Sequence, residues 1–201
     1  MLKLPELPDC FYQNQPSLIC PSSPTPKHSL YLSNLDDQKF LRFSIKYLYL
    51  FKKSISLDIL KYSLSKVLVH YYPLAGRLRA STEVDQKLEI DCNGEGAVFA
   101  EAFMDITAEE FLELSKKPNK SWRKLMYKVE AQSFLDIPPL VVQVSFFIFP
   151  CLSTLFLSYF SGTFLKWMPS YFLLLIFLAR AIYSFRVLYF SHFPRPWIIH
   201  D

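Results

Sequence analysis

The stretch from Val67 to Arg79, Val-Leu-Val-His-Tyr-Tyr-Pro-Leu-Ala-Gly-Arg-Leu-Arg, constrains the fold of this chain more than any other. Upstream of it, Leu57, Leu60, Leu64, Val67, Leu68 and Tyr71 recur at three- and four-residue steps, which places one apolar face along a helix. Ser56 suits the N-cap, and Asp58 puts negative charge in the first turn, where the helix dipole is positive. Pro73 lacks an amide proton and pushes Tyr72 out of the α region, so the helix ends there. Gly76 allows a tight turn before a basic strand begins at Arg77. The stretch therefore specifies a helix, a turn and a strand in fixed succession.

The remaining elements follow from the same rules. Residues 1–27 hold Pro5, Pro8, Pro16, Pro21, Pro24 and Pro26 and read as an extended arm lying on a domain surface. His28 to Asn34 and Arg42 to Tyr47 alternate polar and apolar residues, as strands do, with Phe43, Ile45 and Tyr47 on one side of the second. Leu78 to Cys92 reads as strand, turn, strand. Asn93-Gly94-Glu95-Gly96 is a turn leading to a strand over Ala97 to Ala102. Thr107 and Glu110 form a capping box for a further helix. Ser121 to Phe134 is loop with a short helix, and Asp136-Ile137-Pro138-Pro139 is a stop before a strand over Leu140 to Val144. Helices and strands intermix, so the expected class is α/β in the mixed α+β sense.

A chain of 201 residues is long enough for one domain with a proper core. Its formal charge of +4 is unevenly placed: after Asp136 the only charged residues are Lys166, Arg180, Arg186, Arg195 and Asp201. Arg77 and Arg79 alone are a weak signal for nucleic acid, so no nucleic-acid partner is expected. Cys10, Cys20, Cys92 and Cys151 show no paired spacing and have no neighbouring histidines. They read as four unpaired thiols in a reducing cytosol, with no metal site. Gly94 and Gly96 are turn glycines, because no lysine or helix start follows them at phosphate-loop spacing.

The wording of the central stretch, Tyr-Tyr-Pro-Leu-Ala-Gly-Arg-Leu, closely resembles the N-terminal signature of the plant BAHD acyltransferases, which move acyl groups from coenzyme A to alcohols or amines. Leu32-Ser33-Asn34-Leu35-Asp36-Asp37 stands where that family carries a Leu-Ser-x-Leu-Asp element. Tyr31 to Ser54 resembles most the branch that acylates ω-hydroxy fatty acids and fatty alcohols with hydroxycinnamoyl groups. The resemblance covers the chain to about Ser145. It implies the incomplete N-terminal half of a chloramphenicol-acetyltransferase-like fold of two domains. It also implies structural roles for Leu35, Asp36, Tyr72, Pro73, Leu74, Ala75, Gly76 and Arg77. The parental protein would be a cytoplasmic monomer with acyl-CoA as co-substrate, a hydroxylated lipid as acceptor and no tightly bound cofactor.

Acyl transfer from a thioester needs a base that takes the acceptor's hydroxyl proton, and a histidine near neutral pKa suits that task. In the family that base belongs to a His-x-x-x-Asp-Gly motif about a dozen residues beyond the strand that follows the proline pair. Here no histidine lies between His70 and His192, and the family's Asp-Phe-Gly-Trp-Gly motif is also absent. His70 reads as a helix C-terminal residue favoured by the dipole, and His28 as a surface residue. Ser191-His192 and His200-Asp201 are adjacent in sequence only, which assembles no catalytic site. Asp36 and Asp37 read as a turn or cap rather than an acid–base pair. No catalytic residue is assigned.

From residue 145 to 201 the sequence is apolar, aromatic and unlike the family. Val141 to Leu165 holds no charge and is long enough to cross a bilayer, and Tyr171 to Ala179 adds nine apolar residues. One reading is membrane contact through residues 141–185, with the 28–144 segment kept as a non-catalytic docking module. The other is translated T-rich non-coding sequence, an intron retained just after Val144. Expressed alone, the half-domain is expected to fold poorly, because the strand Leu140 to Val144 loses its partners and leaves an exposed edge beside the apolar tail.

Overall fold

The structure, a computed structural model, describes residues 6–34, 36–39, 42, 44–51, 56–83, 87–116, 120–147, 154–161 and 186–188. In chain order its elements are β1 (Ser17–Ile19), β2 (Ser29–Tyr31), β3 (Ser44–Phe51), α1 (Leu57–His70), β4 (Arg77–Ala80) and β5 (Leu88–Asp91). They continue as β6 (Ala97–Met104), α2 (Ala108–Ser115), β7 (Leu140–Phe147), β8 (Thr154–Ser161) and β9 (Arg186–Leu188). The strands form a large sheet in the order β1-β6-β7-β8-β3-β9 and a small one in the order β2-β5-β4. The β6–β7 pair is parallel, which requires a crossover, and the segment carrying α2 supplies it. The mixed α+β class expected from the sequence is the class observed.

Helix α1 starts and stops where its residues dictate. Ser56 takes the extended N-cap conformation, although its side chain makes no capping bond. Leu60, Leu64, Val67 and Leu68 are buried, and the helix ends as Tyr71 N–H donates to Val67 O at 3.0 Å. At α2 the capping box is complete: Glu110 N–H donates to Thr107 Oγ1 at 3.1 Å, and Thr107 N–H donates to Glu110 Oε2 at 2.8 Å.

Strand β7 of the large sheet is buried on both faces. Leu140, Val142 and Val144 of β7 meet the α1 residues and Leu78, Leu88 and Ile90 of the small sheet. On the other face Phe147 packs with Leu7, Met104, Phe111 and Leu125, and the Phe111 and Phe147 ring centroids lie 5.5 Å apart. Double-sided burial is why β7 reads as an almost continuous apolar run rather than an alternating one.

Three expectations change. The strand beginning at Leu140 keeps its partners: it runs on to Phe147, pairs with β6 on one side and pairs antiparallel with β8 on the other. Within the uncharged run 141–165, residues 141–147 and 154–161 are strands. No helix among the described residues is long and apolar enough to cross a membrane. The N-terminal arm is more than a surface strap, since Leu7 is fully buried, β1 pairs with β6, and Phe11 bridges Phe103. Element ends also shift. The first strand shortens to β2, because the backbone turns where Asp36 and Asp37 donate to Ser33 O. The second begins at Ser44 and reaches Phe51. The expected facing of Phe43, Ile45 and Tyr47, and the run Tyr171 to Ala179, lie outside the described residues and side chains.

Candidate functional site

The signature residues form a joint between the two sheets. Tyr72–Ala75 is a single 3-10 turn with Pro73 at its start, and Pro73, Leu74 and Ala75 are buried. The turn closes as Leu74 N–H donates to Tyr71 O at 2.9 Å and Gly76 N–H to Pro73 O at 3.1 Å. Ala75 O accepts from Gly96 N–H at 2.9 Å, which ties this turn to the 93–96 turn. Arg77 reinforces the tie: its Nη1 donates to Gly76 O at 2.7 Å and Gly96 O at 2.9 Å, while its Nε pairs with Glu95 at 2.9 Å. Gly96 sits at φ 108, and a Cβ there would lie 2.7 Å from Ile19 O. Only glycine fits that place.

Neither arginine is left to face an incoming phosphate. Arg79 Nε donates to Glu89 Oε1 at 2.6 Å, its Nη1 lies 3.7 Å from Asp91, and its Nη2 donates to Ser29 Oγ. Glu89 is only 2% exposed, so the Arg79 guanidinium neutralises a buried carboxylate.

The two aspartates also work separately. Asp36 is buried and accepts the Ser33 hydroxyl on Oδ2 at 2.6 Å, while its own N–H meets Ser33 Oγ at 3.2 Å. Asp37 pairs with Arg42 at 2.9 Å and accepts Leu88 N–H at 2.9 Å, so it anchors the turn to β5. Leu35 lies outside the described residues. The carboxylates are engaged by their own turn and sheet, and do not face each other across a cleft.

His70 is exposed in the last turn of α1. His28 is exposed too, with its ring edge-to-face against Tyr72 at 5.7 Å and its Nε2 3.5 Å from the Tyr72 hydroxyl. Among the described residues no carboxylate orients either ring. His192 and His200 lie outside them.

Among the described residues Cys10, Cys20 and Cys92 are free thiols. Burial pushes the Cys10 and Cys92 thiols up to about 11 from an ordinary 9.0, with nearby Asp9 and Asp91 adding to the rise. A folded-state value above the unfolded one stabilises the fold below the unfolded pKa, and that stability is lost as pH rises through the folded value. Each thiol should therefore subtract about 1.4 kcal/mol per pH unit between roughly pH 9 and pH 11. Urea titrations across that window should show a shallower decline in Cys92→Ala than in the parent; an identical decline would refute the assignment.

One buried polar group belongs to no motif. Gln143 is fully buried in the middle of β7, and only its place in the run Leu140–Phe147, an amide among apolar residues, marks it in the sequence.

The comparisons with known proteins agree with this geometry. The Transferase family model matches residues 13–150. The chain is 39% identical over 140 residues to benzyl alcohol O-benzoyltransferase of Petunia hybrida, a match covering 66% of this chain and 30% of the relative. It is 39% identical over 142 residues to omega-hydroxypalmitate O-feruloyl transferase of Arabidopsis thaliana, covering 68% and 30%. With fatty alcohol:caffeoyl-CoA acyltransferase of the same plant it shares 41% over 143 residues, covering 67% and 33%. The chain thus spans about a third of the length of the curated relatives it matches. Among solved structures, vinorine synthase superposes with a TM-score of 0.53 at 29% identity, covering 74% of this chain and 37% of that one. An F. graminearum protein complexed with coenzyme A and T-2 mycotoxin superposes at 0.58 with 12% identity, covering 77% and 39%, a likeness of fold alone.

Proposed function

Since this chain belongs to the BAHD acyltransferase family, we propose that it derives from an acyl-CoA-dependent O-acyltransferase whose reaction moves a hydroxycinnamoyl group from coenzyme A to a long-chain hydroxy acid or alcohol. The observation that carries this reading is the 41% identity to a fatty alcohol:caffeoyl-CoA acyltransferase, across a segment that includes the whole joint Tyr72–Arg77. Asp36 and the joint residues are structural: Asp36 closes its own turn on Ser33, and the joint ties the 72–75 turn to the 93–96 turn. Acyl-CoA and a hydroxylated lipid are substrates of the parental protein, a cytoplasmic monomer.

We propose further that this chain, as residues 1–201, supports no acyl transfer by itself. It carries neither the His-x-x-x-Asp-Gly nor the Asp-Phe-Gly-Trp-Gly motif. The family model matches residues 13–150, so the family-derived part reaches into the 1–27 arm and past Val144. Residues 151–201 lie outside that match, even though β8 still pairs with β7 and β3. That pairing favours a remnant of the acyltransferase fold over a membrane-bound docking module.

The test is the mature transcript across the codons for Val144 and Ser145, together with an assay of the product it encodes. Splicing from Val144 into a His-x-x-x-Asp segment, with ester formation from hydroxycinnamoyl-CoA and long-chain alcohols, is the expected result. A mature protein that contains Trp167-Met168-Pro169 would remove the retained-intron explanation. A spliced enzyme that acylates only short or aromatic alcohols would overturn the acceptor assignment.

A further inference from the structure

We infer that Gln143 is a latch that closes the N-terminal arm, residues 6–12, and the segment 121–127 over the second face of the large sheet, so that the two open as one unit. The amide uses its whole bonding capacity across three parts of the chain. Its Nε2 donates to Leu125 O at 2.7 Å and Ser145 Oγ at 2.8 Å, and lies 3.8 Å from Cys10 Sγ. Its Oε1 accepts from Tyr127 N–H at 2.5 Å and the Tyr12 hydroxyl at 3.4 Å. Two donors and two acceptor positions are all a glutamine offers. Leu125 O ends the 3-10 helix Lys120–Leu125 and Tyr127 N lies just past it, and the Gln143 side chain bonds both.

The other ties of the arm divide unevenly. At its outer rim Lys124 pairs with Glu6 at 3.1 Å and with Asp9 at 3.9 Å, exposed contacts that contribute little. Cys10 N–H reaches Lys124 O at 3.5 Å, and Phe11 and Phe103 exchange backbone bonds of 3.1 and 2.9 Å. Leu7 is buried, and its N–H donates to Ser121 Oγ at 2.9 Å. Among these ties only Gln143 bonds the arm, the 121–127 segment and the sheet together. Polar groups that lose a buried partner lose far more than the net value of one hydrogen bond. Removing the amide therefore releases the arm and the segment together, and leaves the face covered by α1 intact.

Cys10 reports the opening, because its thiol lies under the latch with Sγ 3.6 Å from Leu125 O. Cys92 is the internal control: it is buried in the opposite core with α1 and the small sheet. In the full chain, alkylation by iodoacetamide is followed for each cysteine by peptide mass spectrometry. Gln143→Leu should raise the Cys10 rate by roughly ten- to hundredfold and leave Cys92 unchanged. Gln143→Glu keeps the volume but replaces the donor group, and should give the same selective rise, so the inference stands or falls even if the leucine variant fails to fold. A Cys10 rate equal to the parent's in the folded variants overturns the latch. So does an equal rise at Cys10 and Cys92, which would mean global loosening.

Discussion

Gly76→Ala should lower the unfolding free energy by about 3 kcal/mol, one of the largest effects available to a single methyl group in this chain. The reason is space and not dihedral strain, because Gly76 has φ −88 and ψ −160, extended backbone open to any residue. An added Cβ would overlap Asp91 O, lie 3.0 Å from Ile90 Cγ2 and 3.2 Å from the Asp91 carbonyl carbon. Those atoms belong to β5 where Arg77 pairs with Asp91 and Leu78 with Ile90, so β5 cannot withdraw without breaking the ladder it forms with β4. Gly94→Ala is the comparison. Gly94 sits at φ 74, and its Cβ would meet only Thr25 Oγ1 at 3.6 Å. Its cost is conformational, about 1 kcal/mol. Urea midpoints of the two variants settle the matter. If Gly76→Ala is no worse than Gly94→Ala, the close approach of β4 and β5 is not what fixes glycine at position 76.

What the sequence makes legible here is local. The end of α1 at His70, just ahead of Pro73, and the Thr107 capping box depend on residues at most four apart, and both are present in the structure. The signature joint was legible as a word. Its purpose was less so, because Gly76 is excluded from being alanine by Asp91, and Ala75 is bonded by Gly96. Both partners arrive through pairing of strands distant in sequence.

The same distance hid Leu7, Cys10 and Gln143. Leu7 bonds a residue 114 positions away, and the Cys10–Gln143 contact spans 133. No periodicity in a proline-rich arm announces a core residue. The strand Leu140 to Val144 fared differently: its existence was legible, but an uncharged run continuing beyond it reads equally as buried strand or as bilayer span. The pairing of β8 with both β7 and β3 shows strands where composition alone does not.

Supplied with a hydroxycinnamoyl-CoA thioester and a long-chain primary alcohol, this chain should release coenzyme A thiol no faster than buffer does. An alcohol attacks a thioester carbonyl slowly at neutral pH because its proton must leave as the bond forms. A positioned histidine that takes this proton contributes about two to four orders of magnitude in rate. His28 cannot fill that role from its exposed place against Tyr72, since a base must also be within hydrogen-bond reach of a bound hydroxyl. His70, on the exposed end of α1, has no orienting carboxylate among the described residues. Holding two substrates in line matters at least as much as the base, because effective molarities reach about 10⁵ M in well-built sites. The chain spans about a third of the length of these relatives. Following free thiol with a disulfide dye and ester by mass spectrometry separates hydrolysis from transfer. Ester accumulating above the buffer control, and abolished by His28→Ala or His70→Ala, would show that this fold can recruit a different base; none at all is the expected outcome for residues 1–201.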